Sequence, residues 1–156
     1  MGSSLDQTHS NLTRRGFLAA SALVAVAGRA TAATPELFTF DMLYKSNGVL
    51  GLVFSDRLLA TKDREMAITG YMAPPLKAES DFFVLTREPM AICPFCQSDA
   101  DWPVDILVVY LDGASPLVNA GTKVAVTGRL EIGSWTDPDT GFVSQLRLRD
   151  ARYRKA

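Results

Sequence analysis

The stretch TKVAVTGRLEIG, residues 122–133, decides the fold class. Val124, Val126, Gly128 and Leu130 recur at every second position. A side-chain period of two places those four on one face of an extended strand, whereas a helix would scatter them around its axis.

Four more segments read the same way. EMAITGYMA (65–73) alternates and is bounded by Pro74-Pro75. DFFVLTRE (81–88) is short, apolar and aromatic, and VDILVVYLD (104–112) is an apolar run rich in β-branched residues. GFVSQLRLRDARY (141–153) sets Val143, Gln145, Arg147 and Arg149 against Ser144, Leu146 and Leu148. Between the last two strands, SWTDPDTGF (134–142) carries the Asp-Pro and Thr-Gly punctuation of a hairpin loop. Five such segments separated by Gly, Pro and Asp clusters predict an all-β domain. MAITGYM and VAVTGRL share A-[IV]-T-G at 67–70 and 125–128. A glycine inside a strand marks a bulge or a sharp bend. Two such strands among five predict a small five-stranded OB-like barrel. Ahead of it lies a short helical or irregular N-terminal segment, with SDRLLATKD (55–63) as a short helix capped by Ser55 and Asn47-Gly48 limiting its length.

The first thirty residues read as an address. Thr13 is followed by Arg14, Arg15, Gly16, Phe17 and Leu18, then by an alanine-rich apolar run ending at Ala27. That run is about half of the roughly 20 apolar residues a bilayer span needs. Arg29 and Ala30-Thr31-Ala32 complete an export signal with a small-residue cleavage site. The paired arginines with Phe17 and Leu18 resemble the twin-arginine signal, which exports folded proteins. Residues 1–32 are therefore expected to be a removed signal peptide, residues 33–156 a single domain, and the periplasm its compartment.

Removal of the signal takes away Asp6, His9, Arg14, Arg15 and Arg29. Thirteen basic and sixteen acidic side chains remain, a net charge of −3, and no histidine. About 124 residues suffice for one core. The acidic balance argues against a nucleic-acid partner. No other long apolar segment exists, so no stable membrane span is expected after cleavage. Without an imidazole, Ser-His and Cys-His catalysis lack their base. Phosphate-binding glycine loops and metalloprotease motifs are absent from the sequence as well.

MAICPFCQSDADWP (90–103) holds the two cysteines, Cys93 and Cys96. Three readings stand. An oxidising compartment favours a local disulfide, although so small a loop restrains little chain entropy. Thiol–disulfide exchange wants a helix after the first cysteine, and Pro94 and Pro103 leave room for one turn only. A soft ion, copper or zinc, suits two thiolates, with Met90 as a thioether donor for copper. Met72 offers a second thioether, but methionine is an ordinary core filler. Asp99, Asp101 and Asp105 suggest a hard-cation site. The plainer reading is a solvated turn, with Ser98 and Asp99 bonding local backbone and Trp102-Pro103 packing the loop onto the domain. Arg147, Arg149, Arg152 and Arg154 form a basic last strand, either solvated or facing an anionic partner. Trp135, in the hairpin, is a contact residue or a cap.

ITGYMAPP (68–75), FFVLTREPMAICPFC (82–96) and VAVTGRLEIG (124–133) together resemble a family of uncharacterised bacterial periplasmic proteins whose shared domain has no assigned function. The similarity spans roughly residues 62 to 132. Some members accompany periplasmic transport systems, which implies an accessory role and a protein partner or transport component. The commonest pattern of the family follows its cysteine with a histidine and prolines; here PFCQSDADWP stands instead. The expected function is that of an exported, non-catalytic accessory or binding protein with the Cys93–Cys96 loop as its functional edge. The alternative is a thiol-redox protein or a soft-metal chaperone.

Overall fold

In the computed structural model, which describes residues 34–48, 51–74, 81–90, 102–113 and 118–156, the alternating stretch lies within a 14-residue strand. The elements run β1 (Glu36–Phe38), a 3-10 turn (Phe40–Met42), β2 (Tyr44–Gly48), β3 (Gly51–Phe54) and α1 (Asp56–Ala60). Then follow β4 (Glu65–Met72), β5 (Phe82–Thr86), β6 (Ile106–Leu111), β7 (Lys123–Thr136) and β8 (Val143–Lys155). The class is all-β, and β4 to β8 are the five anticipated strands.

The count of five needs correction. Six strands form the main sheet, and β2 and β3 pair as a separate antiparallel hairpin. β1, β2 and β3 carry no clear signature in the sequence, for a physical reason. β1 has three residues, too few to show a period, and β2 carries Lys45, Ser46, Asn47 and Gly48 rather than alternating apolar residues. The N-terminal segment is thus largely extended. Its expected helix does form. Ser55 caps α1, its hydroxyl accepting from the Leu58 N–H at 3.1 Å while donating to the Met42 carbonyl at 2.6 Å. Leu58 on this helix is fully buried.

Pairing in the main sheet follows a circuit. β4 pairs β5, β5 pairs β6, β6 pairs β8, β8 pairs β7, and β7 returns to β4. Only β6 and β8 run parallel within it. A strand has two hydrogen-bonding edges. β7 takes one edge of β4 from Glu65 to Tyr71. On the other, β1 pairs at Met66–Ile68 and β5 at Tyr71–Met72.

The two A-[IV]-T-G copies pair with each other. Ala67 faces Thr127, Ile68 faces Val126 and Thr69 faces Ala125, a local two-fold arrangement. Each copy's glycine lies just outside that shared core and points inward. A Cβ on Gly70 would sit 2.6 Å from the Thr86 carbonyl oxygen of β5. One on Gly128 would sit 2.9 Å from the Arg149 carbonyl oxygen of β8. Each glycine therefore admits the next strand across its own.

Val124, Val126 and Leu130 are buried, as their spacing predicts. They join Met66, Ile68, Met72, Phe83, Leu85, Leu107 and Val109 in one core cluster, which also takes Phe38, Phe40, Leu43 and Leu58 from the N-terminal segment. Met72 is core filler. In β8 the alternation holds through Leu146 and Leu148, then changes phase. Asp150 adopts a φ of 50°, the register to β7 shifts between Thr127 and Arg129, and Ala151 becomes the next buried residue. The extra residue is a bulge.

Candidate functional site

The cysteine-bearing segment lies between β5 and β6. Cys93, Cys96, Asp99 and Asp101 fall outside the described residues, as do Arg14, Arg15, Phe17 and Leu18 of the expected signal. The chain on either side of the segment is described, and it is fastened at both ends.

Antiparallel pairing of β5 with β6 continues beyond Thr86, because the Arg87 N–H donates to the Asp105 carbonyl at 2.9 Å. The Arg87 guanidinium lies 2.7 Å from Asp41 and 3.7 Å from Asp105. The Thr86 hydroxyl is within hydrogen-bonding distance of the Tyr71 and Glu88 carbonyls, at 3.1 and 2.6 Å. The outgoing and returning chains then diverge. Glu88, Pro89 and half-buried Met90 on one side, and Pro103, Asp105 and Ile106 on the other, line a cleft of about 410 Å³. Of the thioethers considered as soft ligands, Met90 lines this cleft and Met72 lies in the core. Among the described residues, no group of three or more His, Cys, Asp or Glu gathers as a metal site.

Trp102 anchors the returning chain. Its indole N–H donates to the Tyr44 hydroxyl at 2.9 Å, and Tyr44 stacks on Phe54 with ring centroids 5.3 Å apart. Burial pushes the Tyr44 phenol up to about 12. The Asp105 charge adds to that rise and the Trp102 N–H opposes it. Tyr44 is thus a neutral strut between the β2–β3 hairpin and the loop. Trp102 itself packs against the core of the domain.

Trp135 sits elsewhere on the same outer surface. β5 and β6 are buried on both faces. Their outward side chains Phe82, Val108 and Tyr110 form a cluster against which Trp102, Trp135 and Phe142 all pack. Both tryptophans therefore pack against one buried apolar cluster. Trp135 also stacks with arginine. The Arg149 guanidinium lies 4.1 Å from its ring centroid and 4.0 Å from that of Tyr110, while the two rings meet edge to face at 5.3 Å.

Carboxylates hold this cluster together. Glu131 accepts from Arg147 Nε at 2.9 Å and Arg149 Nε at 3.3 Å. Arg147 is only 7% exposed and also donates to the Gly133 carbonyl at 2.8 Å. Burial works to raise the Glu131 pKa, but the two arginines outweigh it and hold the carboxyl below the usual range. The solvated-strand expectation thus fails for Arg147, which has the bonding partners a buried cation requires. Asp137 organises the β7–β8 loop. Its Oδ1 accepts from the Thr140 hydroxyl and from the Asp139 and Thr140 N–H groups, and its Oδ2 from the Tyr110 hydroxyl. Those bonds outweigh burial and lower its pKa. Burial, and then the Asp137 charge, raise that of Tyr110. The sequence by itself does not mark Asp137, Tyr110 and Glu131 as site-shaping residues. The visible signal was Asp-Pro-Asp-Thr-Gly in the hairpin, and it pointed to a turn only.

No family model matches the chain, and no curated protein matches it. Among solved structures it is similar to a DUF3299 family protein from Pseudomonas aeruginosa PAO1. The TM-score is 0.51 at 13% identity, over 79% of this chain and 97% of that one. At that identity the likeness is one of fold.

Proposed function

We propose that this protein is an exported periplasmic accessory or binding protein, built on an OB-like barrel, with the Cys93–Cys96 loop as its functional edge and no catalytic activity. The closed circuit of β4, β5, β6, β8 and β7, with its single parallel pair, supports the barrel. The order of Arg14, Arg15, Phe17 and Leu18 supports twin-arginine export, with cleavage after Ala32. Similarity in fold to a DUF3299 family protein fits a domain of unknown function of the kind the sequence motifs resemble. Family members that accompany transport systems make a transport component a natural partner.

The observation that carries the reading is the cleft of about 410 Å³ beside Met90 and Pro103. It lies where the cysteine segment leaves and rejoins the sheet, and its volume suits a small ligand or a partner's side chains. Hydrogen bonds at Arg87–Asp105 and Trp102–Tyr44 tie the described chain on both sides of the cleft to the domain.

A second reading keeps Met90 as its support. A thioether lining the cleft three positions before Cys93 would complete a soft-metal site for copper, or serve beside a redox-active pair. Thiol titration of the mature protein with and without reductant, together with metal analysis, separates the two. The binding reading expects a Cys93–Cys96 disulfide that resists thiol exchange, and no retained metal. Stoichiometric copper lost in Met90→Leu, or rapid exchange with glutathione, overturns it in favour of the second.

A further inference from the structure

A second surface lies away from the cysteine segment, on the outer face of β4, β7 and β8. Its residues are in register across four strands. One row runs Leu37, Ala67, Thr127, Arg152, and the next runs Thr69, Ala125, Arg154. Together they form a trough of about 500 Å³. Its floor is made of alanine and threonine, so another backbone can approach the sheet closely. One wall is Leu37, which is 71% exposed. The other is Arg152 and Arg154.

The charge there leans positive, two arginines against Glu65 in the lining. Arg152 reaches Glu65 only at 3.7 Å, with its side chain 72% exposed. Arg154 has no carboxylate partner among the described residues. In the next register pair on the same face, beyond the trough lining, Lys123 lies beside Tyr71, its Nζ 5.8 Å from the ring centroid. This cationic wall belongs to a mature chain with a net charge of −3.

We propose that this trough is a docking site for an extended acidic segment of a partner polypeptide. Carboxylates would meet Arg152 and Arg154, and an aliphatic side chain would lie between Leu37 and the alanines. Four strands about 4.8 Å apart give a trough roughly 14 Å across, the reach of four or five extended residues. A second copy of this chain is a poor occupant. A two-fold contact through the same face would set arginine against arginine. Enclosure suited to a small molecule is lacking too, since Thr69 on the floor and Leu37 on the wall are both exposed.

The test uses the ¹⁵N-labelled mature protein and an alternating Asp-Leu peptide of about five residues. The expected result is saturable amide shifts at Ala67, Thr69, Ala125 and Thr127. Affinity should drop about tenfold or more for the Asn-Leu analogue and for R152E/R154E, and hold in K45E, whose cation pairs with Asp56 outside the trough. Ala125→Phe fills the floor without changing charge, so it decides the matter if the double reversal fails to fold. It too should abolish the shifts. The proposal is overturned by shifts at other residues or none, or by equal affinity in the variants. Equal competition by dodecanoate or by single-stranded DNA overturns it as well, as does self-association that the peptide cannot relieve.

Discussion

Gly128 lies against Ala151 so closely that a Cβ built on the glycine would come within 2.9 Å of the alanine Cβ. Gly70 is tighter still, 2.6 Å from the Thr86 carbonyl oxygen and 2.9 Å from Leu85 Cγ. Alanine at either site gains a few tenths of a kcal/mol from the unfolded chain but must displace a neighbouring strand, which costs about 1–3 kcal/mol. Urea unfolding should show Gly70→Ala and Gly128→Ala both destabilised. Adding Ala151→Gly should recover part of the loss for Gly128→Ala and none for Gly70→Ala. Equal recovery in the two backgrounds would break the link drawn between Gly128 and β8.

Asp137 gathers four donors, three on Oδ1 and the Tyr110 hydroxyl on Oδ2, and is 5% exposed. Removing the carboxylate leaves those donors unsatisfied, so Asp137→Ala should cost about 2–3 kcal/mol. Tyr110→Phe removes one of the bonds and should cost about 1 kcal/mol. Thermal unfolding followed by circular dichroism orders the two. A smaller loss in Asp137→Ala than in Tyr110→Phe would mean that the loop is held by something other than this carboxylate.

Acid should unfold the protein partly through the same groups. Glu131 and Asp137 both have pKa values lowered below their usual range in the folded state. The folded state therefore binds their protons more weakly than the unfolded chain does. Their contribution is complete above the ordinary carboxylate range and is lost as pH falls through it and below. Urea midpoints measured from neutral pH downward should fall, and the slope should flatten in Glu131→Gln and in Asp137→Asn. An unchanged slope in both variants would assign the acid sensitivity to other carboxylates.

Trp102 and Tyr44 make the opposite test at high pH. The Tyr44 phenol is raised to about 12, so its contribution is present below the ordinary tyrosine value and lost as pH climbs from there toward 12. Trp102→Phe strips the Tyr44 oxygen of its donor and should cost about 1 kcal/mol at neutral pH. It should also steepen the alkaline loss, because the indole N–H is what restrains the rise. Phenolate absorbance during a pH titration reads this directly. Full ionisation near pH 10 in the native protein would remove Tyr44 from its role as a neutral strut.

Much of the architecture is visible in residue spacing, because a strand's alternation is local. Val124, Val126 and Leu130 announce their inward face, and Ser55 its cap. Gly70 and Gly128 announce a bulge or a bend, and the close approach of β5 and β8 that they admit comes from the fold. The site was less legible. Arg147 looks like a surface cation, and it is buried because Glu131, across the pair with β7, supplies its counter-charge. Trp135 is an isolated aromatic in sequence, and becomes a stacking platform because β6 and β7 bring Tyr110 and Trp135 edge to face beside the same guanidinium, that of Arg149.

The amino-acid order thus established the all-β class, five of the strands, the inward face of β7, a hairpin loop within 134–142 (shortened to 137–142 by β7 running on to Thr136) and the short capped helix. It also sets the charge of the chain, 16 lysines and arginines against 17 aspartates and glutamates. Partner choice among the strands came from the fold. Alternation states which face of a strand is buried, but its two hydrogen-bonding edges are chemically alike, so spacing cannot say that β7 returns to β4 or that β6 runs parallel to β8. The same holds for the phase change at Asp150 and for the trough beside Arg152 and Arg154. Both arise where strands distant in sequence meet, and their energy resides in contacts between strands, not in any one of them.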